Sequence, residues 1–374
     1  MPHVSRVLMT ADAVGGVWTY ALDLARVFAA RGIRVSLAVL GPAPSDAQRA
    51  EAQAIPTLDL HEHPGRLEWM DDPWADLASA DEWLRELERA VGPDIVHLNG
   101  YTHAALPWTA PVLVVGHSCV LSWWRAVHAE DAPPSWDRYA DAVRRGLSAA
   151  DLVVAPSAAM LAELVSCYGP LPRTRVIPNG RDPVWRVALN GKEPFVLTAG
   201  RLWDQAKNIE TVCAIAREIA WPVYVAGDAQ GPGATRFACE DVRTLGRLSS
   251  EETRAWMARA SIYAFPARYE PFGLSVLEAA QAGCALVLGD VRSLREIWGD
   301  AALFVAPGNR RMLAAAVSRL IDDDEARRAL GERARAKGAR MTAARMAEQY
   351  LGTYSDLMAE SAGEMRPLLS LSAV

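Results

Sequence analysis

Two glutamates, Glu270 and Glu278, stand eight positions apart in the stretch Arg268-Tyr269-Glu270-Pro271-Phe272-Gly273-Leu274-Ser275-Val276-Leu277-Glu278. The apolar run before it, Ser261 to Ala267, reads as a buried strand. A helix is expected from about Leu274 to Ala282, ended by Gly283. Glu270 then falls in the strand-to-helix turn and Glu278 about one turn inside the helix. Between them Phe272, Gly273 and Leu274 offer backbone N–H groups at a helix N-terminus, where a phosphate or other anion binds well. Gly273 lets the backbone come close to a ligand. One short segment can hold a diphosphate on N–H groups and sugar hydroxyls on carboxylates, which suits a nucleotide sugar. Glutamates in a first helical turn also serve only the helix dipole, so neither carboxylate is diagnostic alone.

Lysines are sparse, which makes their places informative. Lys207 is one of three lysines, with Lys192 and Lys337, in a chain that otherwise uses Arg. It follows Arg201 after a strand read at Phe195 to Gly200. A flat guanidinium fork and a compact ammonium together suit a diphosphate leaving group. In the first half, Val4 to Thr10 reads as a strand, Gly15-Gly16 as a tight turn, and Val17, Trp18, Ala21, Leu22, Leu24, Ala25 and Phe28 as one helix face. With the strand Val35 to Leu40 this is a β-α-β unit. His117 follows the strand Val112 to Val115, at the edge where α/β proteins bind ligands; a structural histidine is the competing reading. Trp123, Trp124 and Trp136, with Arg125 between, suit either sugar faces or core.

The pattern E-P-F-G-L-x-x-L-E closely resembles the E-x7-E signature of retaining glycosyltransferases of family 4, which have the GT-B fold. The segment G-R-L-W-D-Q-A-K-N resembles the family's G-R-x-K motif, with an Arg–Lys gap of six here, one longer than the commonest form. The resemblance implies an α/β protein of two Rossmann-like domains facing across a deep cleft, with a C-terminal helix crossing back to the first. It places the acceptor-side domain at 1–182 plus the returning segment 343–374, and the nucleotide-sugar domain at 183–342. It implies catalytic roles for His117, Arg201, Lys207 and Glu270. It implies donor contacts from Gly16, Arg201, Lys207, Arg247, Leu248, Glu270, Phe272, Gly273, Leu274 and Glu278, with Glu278 on the ribose. Ser118 stands where the family often has an acid, which alters acceptor contacts. The leaving phosphate is expected to take the acceptor proton, so no protein base is assigned. No cofactor or metal is expected. UDP-sugars are the favoured donors, with GDP- and ADP-sugars open, and the acceptor is a glycan, a lipid-linked group or a small molecule. Other readings are an inactive nucleotide-sugar-binding protein, a phosphorylase with a cofactor-bearing lysine, and a sugar-nucleotide epimerase.

The bulk properties agree with this. A chain of 374 residues with 51% apolar and 22% charged residues is expected to be globular, with two domains. The net charge of −6 lies wholly in residues 1–190, where sixteen Arg and no Lys stand against twenty-two acids. Nucleic acid is an improbable partner on that balance. No apolar stretch reaches the ~18 residues of a spanning helix, which leaves peripheral membrane contact open, and no signal peptide is read. A monomer or weak oligomer is expected. The five cysteines lack a C-x-x-C pair and read as reduced thiols of a cytoplasmic protein. Residues 42–80 read as a surface loop whose His61, His63, Trp69 and Trp74 are acceptor candidates. Asp71-Asp72 and Asp322-Asp323-Asp324 are not read as metal sites, the first for want of a third ligand and the second for its solvated, charged setting.

Overall fold

The computed structural model describes residues 4–182, 191–230, 239 and 241–364. They divide into two compact units. Unit 1 comprises Met1–Ser122, Ala132–Gly180 and Ala343–Val374, and unit 2 comprises Trp123–Asp131 and Arg181–Thr342. Residues around the expected domain boundary at 182/183, and the end of the returning segment 343–374, lie outside the described residues.

Unit 1 is built on seven strands: β1 (Arg6–Asp12), β2 (Arg34–Gly41), β3 (Leu58–Pro64), β4 (Ile95–Leu98), β5 (Val112–Val115), β6 (Leu152–Ala155) and β7 (Thr174–Val176). All pair in parallel, in the order β3-β2-β1-β4-β5-β6-β7. The short β4, β5 and β6 are buried along their whole length, as expected of continuous apolar runs covered on both faces. The chain runs outward from β1 on one side and resumes at β4 on the other. A crevice therefore opens at the carboxyl ends between β1 and β4, where doubly wound sheets take ligands. Helix Gly16–Ala29 buries Trp18, Tyr20, Leu22 and Phe28 on one side of this sheet. The terminal helix Ala343–Glu364 joins the same core through Met346, Tyr350, Tyr354 and Leu357.

Unit 2 repeats the plan with six strands: β8 (Glu193–Ala199), β9 (Val223–Ala226), β10 (Arg243–Gly246), β11 (Ala260–Phe265), β12 (Ala285–Gly289) and β13 (Leu303–Val305). Their order is β10-β9-β8-β11-β12-β13, again parallel. The reversal falls between β8 and β11, which pair through Ile262 with Val196 and Tyr263 with Leu197. Separate apolar clusters cover the two faces of the sheet, one around Phe265, Leu277 and Trp298 and one around Val196, Ile262 and Val317.

Two expectations are corrected. Residues 42–80 are not mainly loop. They contain helix Asp46–Gln53, opened by a reciprocal Ser45–Gln48 capping box, the edge strand β3, and the start of helix Trp74–Val91. The L-D-L-H-E-H sequence of β3 is polar because an edge strand half-exposes both faces, and Glu62 there pairs with Arg49. The cysteines are not all thiols. Cys213 and Cys239 form a disulfide with their Cα atoms 6.1 Å apart, while Cys119, Cys167 and Cys284 are not disulfide-bonded. A pair separated by 26 residues without a motif is joined by tertiary proximity alone. No helix among the described residues is long and apolar enough to cross a membrane.

Candidate functional site

Most of the sequence-selected residues of unit 2, Arg201, Lys207, Glu270, Phe272, Gly273, Leu274 and Glu278, lie on the segments that follow β8 and β11, at the reversal of strand order. Arg201 lies two residues past the end of β8, and Lys207 ends the 3-10 turn Gln205–Lys207. Glu270 follows β11. The two loops are tied by backbone: Arg268 N–H donates to the Ala206 carbonyl at 2.8 Å, and the Asn208 amide donates to the Pro266 carbonyl at 2.7 Å. This brings Lys207 Nζ to 2.7 Å from Glu270 Oε2, with side-chain exposures of 14% and 13%. The Glu270 carbonyl accepts from the Ser293 hydroxyl, which anchors the turn.

Helix Leu274–Gln281 begins at Gly273, which has φ 88° and no capping side chain. A Cβ there would meet Val276 at 3.1 Å in a backbone conformation that L-residues rarely adopt. The N–H groups of 272–274 are not all open, as the sequence had suggested. Phe272 N–H lies 3.4 Å from Glu270 Oε1, so the glutamate caps the turn that its own loop forms. Glu278, one turn inside, is paired with Arg181, and both side chains are about nine-tenths buried. Arg181 follows the stretch R-V-I-P-N-G at 175–180, and its backbone is fastened to the same helix: the Gln281 amide donates to its carbonyl at 2.7 Å. Arg247 and Leu248 follow β10. Arg247 is exposed, and Leu248 packs against the apolar cluster beneath helix Leu274–Gln281.

Sequence reasoning passed over Asp204, which lies between Arg201 and Lys207 and is only 5% exposed. Its carboxylate accepts from Arg201 Nη2 at 2.7 Å, from the Trp123 indole N–H at 3.1 Å and from Ala206 N–H at 3.1 Å. Burial alone would raise its pKa. The charges of Lys207 and Arg201 and these hydrogen bonds outweigh it and hold the group below the ordinary carboxylate value. Arg181 was also missed. The signal available for Asp204 was the lengthened Arg–Lys gap; for Arg181 there was none.

In unit 1, His117 follows β5 and Asn99 follows β4. The Asn99 amide nitrogen donates to the Thr10 carbonyl at 2.7 Å, which leaves its oxygen to accept from His117 Nε2–H at 2.8 Å. The ring is therefore assigned as the Nε2–H tautomer. Tyr20, in the helix that Gly16 begins, packs edge-on against it at 4.6 Å. Desolvation pushes the His117 pKa down to about 4. Behind it the buried His97 is pushed down to about 3, first by desolvation and then by His117; it is hydrogen-bonded to Tyr20 and to Tyr354. Ser118 is exposed. A cavity of about 60 Å³ lies at the carboxyl ends of β1, β2 and β4, lined among others by Asp12, His63, Arg66, Glu68, Trp69 and Asn99. His61 and Trp74 are not in that lining. His63 also stacks on Trp83 at 5.1 Å, and Trp74 carries Arg138 over its ring at 3.9 Å.

Among the described residues no group of three or more His, Cys, Asp or Glu is arranged to hold a metal ion. Asp322-Asp323-Asp324 is a helix boundary: Asp323 caps helix Asp324–Gly338 by accepting from Ala326 N–H, and Asp324 pairs with Arg327 and Arg328.

Residues 14–185 match the model of Glycosyltransferase Family 4, and residues 184–337 match that of glycosyl transferases group 1. A glycogen synthase of Mycobacterium tuberculosis is 28% identical over 68% of the chain, a match that spans 66% of that relative's length, just under two thirds. A D-inositol 3-phosphate glycosyltransferase of Xylanimonas cellulosilytica is 29% identical over 86% of the chain and 91% of its own length. Among solved structures, a sucrose-phosphate synthase from Thermosynechococcus elongatus superposes with a TM-score of 0.77 at 21% identity, covering 95% of the chain and all of that structure. HepE of Anabaena, solved with UDP and glucose, gives 0.72 at 16% identity, covering 95% of the chain and all of that structure. The two parallel β/α/β units with their C-terminal helix have the GT-B architecture of these structures.

Proposed function

The chain being a GT-B-fold relative of the family 4 and group 1 glycosyltransferases, we propose that it transfers a sugar from a nucleotide diphosphate sugar to an acceptor hydroxyl, with retention of anomeric configuration. The observation that carries this reading is that Arg201, Lys207, Glu270 and Glu278 all lie on the segments that follow β8 and β11, at the strand reversal of unit 2, with helix Leu274–Gln281 starting between the two glutamates. Charge builds on the departing diphosphate. Arg201, Lys207 and the N–H groups at the start of helix Leu274–Gln281 offset it as dipoles and charges already in place. Glu278 accepts the ribose hydroxyls, and Glu270 accepts hydroxyls of the donor sugar and orients it. Backbone at Arg247-Leu248 meets the base. For Gly16 and His117 the family resemblance implies roles toward the donor phosphate and the reacting sugar. A histidine held neutral by burial suits a hydrogen-bonding part better than that of a proton carrier.

A UDP-sugar is the favoured donor, in keeping with the UDP and glucose of the HepE structure. A carbohydrate or small-molecule acceptor and a cytoplasmic setting complete the reading. The test is a thermal-shift panel with UDP, GDP, ADP and TDP. A ligand that binds the folded chain alone stabilises it by about 2.7 kcal/mol at 100 times its Kd. One responding nucleotide names the base, and its sugars are then screened against acceptors. Absence of any shift, together with absence of hydrolysis of the four sugar-nucleotide classes, defeats the proposal.

A further inference from the structure

We propose that Asp204 is a positioning residue of the donor site, acting through Arg201, with Trp123 as its second anchor. The inference rests on the reading of Arg201 as a diphosphate ligand. The loop from Arg201 to Lys207 folds a carboxylate inward, where a lone charge would be costly. Asp204 spends one oxygen, Oδ1, on Trp123 Nε1–H and Ala206 N–H, and the other, Oδ2, on Arg201 Nη2. The first pair of bonds sets the carboxylate plane, and the last fixes one edge of the guanidinium.

The opposite part of Arg201 is left for a ligand. Its side chain is 37% exposed, and its Nε is buried without a hydrogen-bond partner. Trp203 flanks the guanidinium, 5.3 Å from ring centre to Cζ. An arginine held on one edge and one face loses little freedom on meeting an anion, which is how preorganisation raises affinity. Asp204 also caps the 3-10 turn that ends in Lys207, and the Lys207 N–H donates to its carbonyl at 2.9 Å. One buried carboxylate thus orders the loop that bears both cations. Trp123 comes from helix Val120–His128, a few residues after His117, and residues 123–131 belong to unit 2.

The test is a double-variant cycle on nucleotide affinity, measured by calorimetry with UDP, GDP and ADP and carried forward with whichever binds. The matching nucleoside monophosphate serves as the control for base and ribose contacts. Asp204→Asn keeps the shape but turns an amide N–H toward Arg201, so the guanidinium loses its partner. It is expected to weaken diphosphate binding by about 10-fold, the scale of one charge-assisted hydrogen bond. Monophosphate binding should change far less. In an Arg201→Ala background the same change should add under about 2-fold, because the two residues act as one unit. Full affinity in Asp204→Asn, or an equal loss in both backgrounds, overturns the inference and leaves the diphosphate reading intact. Diphosphate affinity unchanged in Arg201→Ala defeats that reading and the inference with it. Should Asp204→Asn fail to melt cooperatively, Trp123→Phe carries the test. It removes only the indole donor, and a smaller, likewise non-additive loss is expected; wild-type affinity there overturns the role.

Discussion

Lys207 Nζ stands 2.7 Å from Glu270 Oε2, joining the loops after β8 and β11 across 63 residues of sequence. A basic and an acidic group, each selected from sequence for a different part of a ligand, are partners of one another. The pair holds both groups in place without a net charge. With Arg201–Asp204 and Arg181–Glu278, it makes three ion pairs around one strand reversal. The proposed donor contacts are thus arranged before binding, and their electrostatics are balanced within the protein.

Removing the cations should cost turnover. Lys207→Ala and Arg201→Ala are each expected to lower kcat by on the order of 10²-fold, the scale for losing one preorganised charge stabiliser. Initial-rate measurements with the donor named by the thermal panel check this. Near-normal kcat in both variants would remove the diphosphate assignment.

The Arg181–Glu278 pair separates stability from binding. Glu278→Ala removes the buried carboxylate that pairs with Arg181, and should destabilise the fold by roughly 3–5 kcal/mol while weakening nucleotide binding. The apolar double variant Arg181→Met with Glu278→Leu should regain much of that stability without regaining affinity. Denaturant melts and titration with UDP, GDP and ADP read the two quantities. Wild-type affinity in the folded double variant would assign Glu278 to structure alone.

Acid should unfold the chain through two desolvated histidines, the buried His97 and the half-buried His117. His97 at about 3 and His117 at about 4 lie below the ordinary 6.5. Below about pH 6.5 the unfolded chain binds protons that the folded chain refuses, so stability falls as pH falls. Above that value their contribution is complete. The expected slope is about 1.4 kcal/mol per pH unit for each histidine, persisting down to each folded value. Urea midpoints between about pH 7 and about pH 4 test it. His117→Asn should reduce the slope in this window, and a flat wild-type profile would refute the assignment.

Gly273 is expected to resist replacement. Gly273→Ala puts a Cβ at φ 88°, 3.1 Å from Val276, and should cost about 1 kcal/mol or more. Because Glu270 caps the same turn, nucleotide-sugar affinity should fall with it. Unchanged melting and unchanged affinity would show that the turn relaxes freely.

Much was legible in the sequence because it is local. The periodicity of residues 17–28, the apolar runs of β5 and β12, and the turn-to-helix spacing of Glu270 to Glu278 depend on neighbours within a few residues. Together with the family motifs they point to the GT-B fold. Residues 42–80 misled because an edge strand such as β3 is only half-buried, and its apolar alternation is limited to Leu58 and Leu60.

The tertiary structure decided the partnerships. Arg181 meets Glu278 across 97 residues, Trp123 meets Asp204 across 81, and Cys213 meets Cys239 across 26. Nothing in local spacing specifies such pairs. They follow from strand order, which sets the carboxyl ends of β8 and β11 side by side, and from burial, which leaves an inward-turned charge no solvent and so requires a partner. Sequence supplied the chemical groups of the candidate site; the parallel sheet determined which of them touch.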